Sequence, residues 1–168
     1  MRYASIRNLD ISNGEGIGVA LFVQGCPFHC YNCFNSQTWD FNGGKEWNDD
    51  IKRDFVNIIE QCKYSNRVTI IGGEPLCEQN RFEVGVLISD IKTQFPQKNI
   101  WVYTGYTWKE LINDVSTLNI IEFVDVIVDG RYRDELRDIN LPFRGSSNQR
   151  VIDVKKSLET GEVVLYCE

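Results

Sequence analysis

Cys26, Cys30 and Cys33 constrain this chain more than any other feature. The run Gly25-Cys26-Pro27-Phe28-His29-Cys30-Tyr31-Asn32-Cys33-Phe34-Asn35 offers three thiolates at C-x3-C-x2-C spacing within one loop. Iron–sulfur clusters are normally held by four cysteine thiolates. A three-cysteine loop on a four-iron cluster therefore leaves one iron open to a ligand that is not protein, which makes the loop a candidate reaction centre. Zinc is the first rival, but its Cys and His ligands usually come as two separated pairs. Here there is no second pair, and His29, the only histidine, lies inside the same loop. Unligated core thiols are the second rival, since Cys is among the most buried residue types.

A second motif follows about forty residues on. Arg67-Val68-Thr69-Ile70-Ile71 reads as a short buried strand running into Gly72-Gly73-Glu74-Pro75-Leu76. Two glycines at a strand end allow close approach of a ligand to the backbone, and Glu74 sets a carboxylate beside them. An α-amino group is a natural guest for such a site. By itself the stretch also reads as a plain strand-to-helix turn ending in proline. Its pairing with the cysteine loop is what gives it weight.

Together the two motifs resemble the radical S-adenosylmethionine (SAM) superfamily. The resemblance implies a [4Fe-4S] cluster on Cys26, Cys30 and Cys33, with the amino and carboxylate groups of SAM on the fourth iron. It implies that Gly72, Gly73 and Glu74 hold the SAM amino group, and that reductive cleavage of SAM yields a radical that abstracts hydrogen from a substrate. Many members carry an aromatic residue before the third cysteine, where this chain has Asn32. Phe34 and Tyr31 are the alternatives to Asn32 for the adenine contact.

The remaining composition fits an intracellular catalyst. A chain of 168 residues with 42% hydrophobic content can close one domain around a core. No repeat, low-complexity run or linker divides it, so residues 1–168 are expected to form a single domain. A formal net charge of −6 argues against a nucleic-acid partner. The N-terminus lacks the apolar run of a signal peptide, and no stretch approaches the roughly 18 apolar residues of a membrane span. Cytoplasmic location is the expectation. Cys62, Cys77 and Cys167 read as reduced packing residues, with Cys77 also placed to line a site around Glu74.

Apolar runs and helical spacing alternate along the chain. Val19–Val23, Arg67–Ile71, Ile100–Tyr103, Phe123–Val128 and Val163–Tyr166 read as strands. Asp49–Cys62, a stretch marked by Phe82, Val84, Leu87, Ile88, Ile91 and Phe95, and a segment opened by the capping-box pattern Thr107-x-x-Glu110 read as helices. The alternation predicts an α/β fold of about five or six mostly parallel strands with crossover helices. Functional groups then share the carboxyl ends of the strands, where the cysteine loop, Gly72-Gly73-Glu74, Gly105 and Asp129-Gly130 all fall. The superfamily resemblance implies an open partial (β/α) barrel of the radical SAM type, its missing wall completed by a substrate.

The C-terminal third narrows the resemblance. Asp125–Tyr132 and Leu141-Pro142-Phe143-Arg144-Gly145-Ser146-Ser147-Asn148-Gln149-Arg150, with Asn13-Gly14-Glu15-Gly16 and Trp101–Tyr106, are similar to the glycyl-radical activases that serve anaerobic ribonucleotide reductases. Other such activases commonly read Gly-Pro-Gly-x-Arg at the first of these, where Glu15 and Gly18 stand in the proline and arginine positions. The resemblance implies a protein partner, the catalytic subunit of an anaerobic ribonucleotide reductase, whose glycine loses hydrogen. It also implies an electron donor such as flavodoxin or ferredoxin.

Read as residues alone, Asp129-Gly130 is a turn after a strand and Gly145–Asn148 a surface loop. Under the resemblance, Asp129 with Arg131 is a candidate for the SAM ribose or carboxylate, and Ser146 and Asn148 are neutral donors for the same job. Tyr103, Trp101 and Tyr106 are adenosine contacts or ordinary aromatics. Two other readings stay open: a radical SAM enzyme acting on a small molecule or another glycyl-radical enzyme, and a non-enzymatic iron–sulfur or zinc module, which would leave Gly72-Gly73-Glu74 without a role.

Overall fold

Val19-Ala20-Leu21-Phe22-Val23 is apolar on both strand faces, and such a strand is stable only inside a sheet covered on both sides. In the computed structural model, which describes residues 1–167, it lies in β2 (Gly18–Gln24), buried along its whole length. The described residues form one eight-stranded sheet. Its other strands are β1 (Arg2–Asp10), β3 (Lys45–Glu46), β4 (Arg67–Gly72), β5 (Asn99–Tyr103), β6 (Val126–Asp129), β7 (Arg150–Asp153) and β8 (Leu165–Cys167), in the order β3-β1-β2-β4-β5-β6-β7-β8.

This sheet corrects the expected open partial barrel of five or six mostly parallel strands. Four of its seven pairings are antiparallel (β3–β1, β1–β2, β6–β7 and β7–β8) and only three, β2–β4, β4–β5 and β5–β6, are parallel. The reason lies in the connections. Parallel neighbours need a crossover of a dozen or more residues, whereas a short turn can only reverse the chain. Crossovers come from α1 (Asp49–Gln61), α2 (Arg81–Gln94), and α3 (Trp108–Asn113) with α4 (Val115–Ile121). The brief turn after β1 and the seven-residue α5 (Val154–Thr160) before β8 leave antiparallel pairs.

Each helix is seated by local chemistry. Asn48 caps α1, its side chain accepting the Ile51 N–H at 3.0 Å, with Asp49 and Asp50 in the first turn where the helix dipole favours anions. Thr107 and Glu110 form the reciprocal capping box that the sequence predicts for α3. Phe55 and Ile59 of α1 and Val84, Leu87, Ile88 and Ile91 of α2 are buried against the sheet, each worth about 1.5–3 kcal/mol. Phe82, counted with that stripe by spacing, is instead 74% exposed at the start of α2. The strand expected from Phe123 begins only at Val126.

The opposite sheet face carries Ala20, Phe22, Ile71 and Tyr103, continued by Trp101, Val126, Val128 and Val151. Phe143 packs edge-on against Trp101 at 5.2 Å and brings the segment after β6 across this face. A buried ion pair closes its lower end: Arg67 is fully buried and donates to the Asp10 carboxylate at 3.1 Å. It also donates to the carbonyls of Asp10, Asn13, Glu15 and Gly16, fixing the turn between β1 and β2.

Candidate functional site

The parallel quartet β2-β4-β5-β6 delivers four strand ends to one place, followed by the cysteine loop, Gly72-Gly73-Glu74, Gly105 and Gly130. Gly72 has φ +108, and a Cβ there would stand 2.7 Å from the Val23 carbonyl oxygen. A Cβ on Gly73 would stand 2.3 Å from the Gly25 carbonyl oxygen. These glycines therefore admit the chain's own backbone at the root of the cysteine loop. The Glu74 N–H donates to the Gly25 carbonyl at 2.8 Å, and the Gly73 N–H to Val23 at 2.9 Å.

Within the loop, His29 and Asn32 take left-handed backbone angles, φ +47 and +53. The Cys33 N–H donates back to the Cys30 carbonyl at 3.1 Å, and the Asn35 N–H reaches Sγ of Cys33 at 3.4 Å. All six cysteines are free, and Cys26, Cys30 and Cys33 are partly buried. Burial raises the thiols of Cys26 and Cys30 above their ordinary range; the backbone N–H of Tyr132 and the charge of Arg131 work against this at Cys30.

The three cysteines line a cavity of about 590 Å³ together with Gly72, Gly73, Glu74, Phe34, Tyr103 and Arg131. Asn32, Asp129, Ser146 and Asn148 lie outside its lining. Asn32 donates to the Asp134 carboxylate at 3.0 Å. Asp129 does not pair with Arg131; it accepts a fork from Arg150 at 3.0 and 2.5 Å and the Trp108 N–H at 2.7 Å, anchoring the first turn of α3. Ser146 is fully buried and accepts the Arg133 N–H, while Asn148 donates to the Arg131 carbonyl at 2.8 Å. Arg131 itself lies over the Phe28 ring, 4.2 Å from its centroid.

Glu74 is the one buried carboxylate on the cavity wall. Oε1 accepts from the Leu76 N–H at 2.9 Å and Thr104 Oγ1 at 2.7 Å, and Oε2 from the Gly105 N–H at 2.7 Å. Burial nevertheless outweighs these bonds and the charge of Arg131, pushing its pKa up to about 7. A carboxylate has about four acceptor positions, so Oε2 retains one for a cation. Cys77 is buried behind it, its thiol pushed up to about 11 chiefly by burial and then by the charge of Glu74.

Sequence reasoning missed several polar residues that shape the site. Asn80 Nδ2 donates to the carbonyls of Gln24 and Glu74, both at 3.0 Å, stapling the two motif loops together. Gln149 accepts the N–H groups of Gly145 and Ser146 and donates to the Gly130 carbonyl, fixing the last loop to the end of β6. Trp39 Nε1, Tyr103 Oη and Arg144 Nε are buried without a hydrogen-bond partner, and all three residues line the cavity.

The donor set suits an iron–sulfur cluster. Among the described residues no group of three His, Cys, Asp or Glu is set to hold a single metal ion. On a four-iron cube each thiolate binds a different iron, so three sulfurs around one wall need not converge on a point. Residues 12–152 match the family described as a 4Fe-4S single cluster domain, which makes the chain an iron–sulfur protein by class.

Its relatives narrow that class. The anaerobic ribonucleoside-triphosphate reductase-activating protein of Enterobacteria phage T4 is 38% identical over 151 residues, covering 90% of this chain and 93% of the relative. The proteins of the same name from Escherichia coli K12 and Vibrio cholerae are each 34% identical, covering 97% and 96% of those relatives and 90% and 89% of this chain. The chain belongs to this family of anaerobic ribonucleoside-triphosphate reductase-activating proteins.

Proposed function

We propose that this protein is a radical SAM activase that installs a glycyl radical on the catalytic subunit of an anaerobic ribonucleotide reductase. The observation that carries the reading is the convergence of Cys26, Cys30, Cys33 and Glu74 on one cavity. The names of the relatives support the reductase as target. A [4Fe-4S] cluster held by Cys26, Cys30 and Cys33 would supply the one-electron reduction that cleaves SAM, and with it the means to remove hydrogen from the target glycine.

The chain's own residues bind and orient. Cys26, Cys30 and Cys33, as thiolates, would hold three of the cluster's irons. Glu74, held by Thr104 and the Leu76 and Gly105 N–H groups, faces the SAM ammonium with its remaining acceptor position. Tyr103 and Arg144, buried beside the cavity with unspent donors, supply hydrogen bonds to the rest of the ligand. Phe34 and Arg131 line its cysteine side. The partner's glycine loop enters the cavity and excludes water from the radical. An electron donor of the flavodoxin or ferredoxin kind would supply the electron. No described helix is long and apolar enough to cross a membrane.

The test is anaerobic reconstitution with iron and sulfide, reduction, and mixing with SAM and the reductase. A glycine-centred doublet in the EPR spectrum of the reductase, with methionine and 5′-deoxyadenosine released, is the expected result. SAM turnover with no glycyl radical on a bound reductase overturns the partner and leaves a small-molecule substrate.

A further inference from the structure

Asn32 sits between the second and third cysteines, in a left-handed conformation that Asn tolerates better than bulkier residues. Its side chain does not reach the cavity; it crosses to another loop. Nδ2 of Asn32 donates to Oδ2 of Asp134 at 3.0 Å, and the other carboxylate oxygen accepts Tyr132 Oη at 2.7 Å. The same short segment holds the loop at one more point. The Tyr132 ring lies 5.2 Å from the Phe34 ring, one residue past Cys33. Asn32 and Phe34, on either side of Cys33, are therefore held by residues 134 and 132 of one segment.

We propose that Asp134 and Tyr132 form a clasp that positions the cysteine loop around its cluster, with Asn32 as the residue it grips. The inference rests on the cluster reading above and adds a role for Asn32 other than contact with adenine. Outer-shell groups of this kind orient ligands, and their loss typically costs about 10- to 100-fold in metal affinity. Asp134 is a positioning residue, since it touches the loop and not the ligand.

The test uses the reconstituted full chain and reads iron loss to a chelator together with the cluster's midpoint potential, neither of which requires SAM or a partner. Asp134→Ala should lose iron about tenfold faster than the parent and shift the midpoint. Asp134→Asn should behave like the parent, because an amide can accept from Tyr132 while Asn32 turns its own oxygen toward the new donor. Glu135→Ala, which removes a carboxylate paired only with the neighbouring Arg133, should change neither quantity. Asn32→Gly, which keeps the left-handed backbone without strain, should reproduce the effect of Asp134→Ala and serves if that variant folds poorly. Parent-like iron retention and potential in folded Asp134→Ala, or in Asn32→Gly, overturn the clasp. Failure of the parent itself to take up a cluster would overturn the iron–sulfur reading instead.

Discussion

A Cβ built on Gly18 would stand 2.7 Å from Cζ of Arg67, so the guanidinium fills the space any side chain at position 18 would need. Position 18 is thus closed to any side chain, and the positive charge beside the β1–β2 turn comes from β4. Its partners include the Asp10 carboxylate and four main-chain carbonyls.

Arg67→Met should therefore be strongly destabilising, by about 3–5 kcal/mol, because it leaves Asp10 buried without its cation. Arg67→Lys should recover only part, since an ammonium lacks the planar fork that reaches several acceptors at once. Urea unfolding of the three proteins checks this. Equal midpoints for Arg67→Met and the parent would show that the turn does not depend on the guanidinium.

Replacing any one of Cys26, Cys30 or Cys33 by Ala should abolish SAM cleavage, while Cys62→Ala and Cys167→Ala should not. Iron analysis of the reconstituted parent should find about four irons per chain. Full zinc occupancy with no iron uptake, read by X-ray absorption, contradicts the assignment.

Glu74 titrates near 7 in the folded protein against an ordinary 4.5. Between those values the folded state keeps a proton that the unfolded chain has lost, so stability of the ligand-free protein falls as pH rises through that window and levels off above it. The drop is on the order of 2–3 kcal/mol. Glu74→Gln should lack this slope, which unfolding at pH 5 and pH 8 will show; parallel pH profiles for variant and parent would contradict it. The same variant should bind SAM roughly ten- to two-hundred-fold more weakly, the equivalent of a charge-assisted hydrogen bond of about 1.5–3 kcal/mol, with iron content intact.

Asp129→Ala should cost about 2–3 kcal/mol of stability, through the unpaired Arg150 fork and the orphaned Trp108 N–H. SAM affinity measured in the folded fraction should stay within about twofold of the parent. A large loss of affinity without loss of stability would return Asp129 to the ligand.

The centre of the fold was legible in the sequence because β2, β4 and β5 are buried on both faces and so read as unbroken apolar runs. β1 was not: of Arg2–Asp10 only Tyr3 and Asp10 are buried, and two register shifts against β2 break the alternation a strand would otherwise show. With β1 and the four-residue β7 unseen, the alternation of the remaining elements pointed to a parallel sheet. The site divides the same way. The cysteines are a local motif that spacing brings out, and Gly72-Gly73-Glu74 gains its weight beside them. Asn80, Thr104 and Gln149 gain their roles from chain segments that meet only after folding, and a lone Asn, Thr or Gln in a polar stretch carries no signal of that meeting. At Asp129 the sequence suggests a pair with Arg131 two residues on, and the fold brings Arg150 to it instead.

The sheet's rim bears on how a protein partner can engage. At one edge β3 is only two residues long, and both of them, Lys45 and Glu46, are charged and exposed. Short, charged edge strands offer little template for another chain's backbone. Recognition by adding a strand to this edge is therefore disfavoured. At this edge a visiting polypeptide would be read through its side chains, and changes to the shape of the cavity mouth should alter partner choice more than changes along β3.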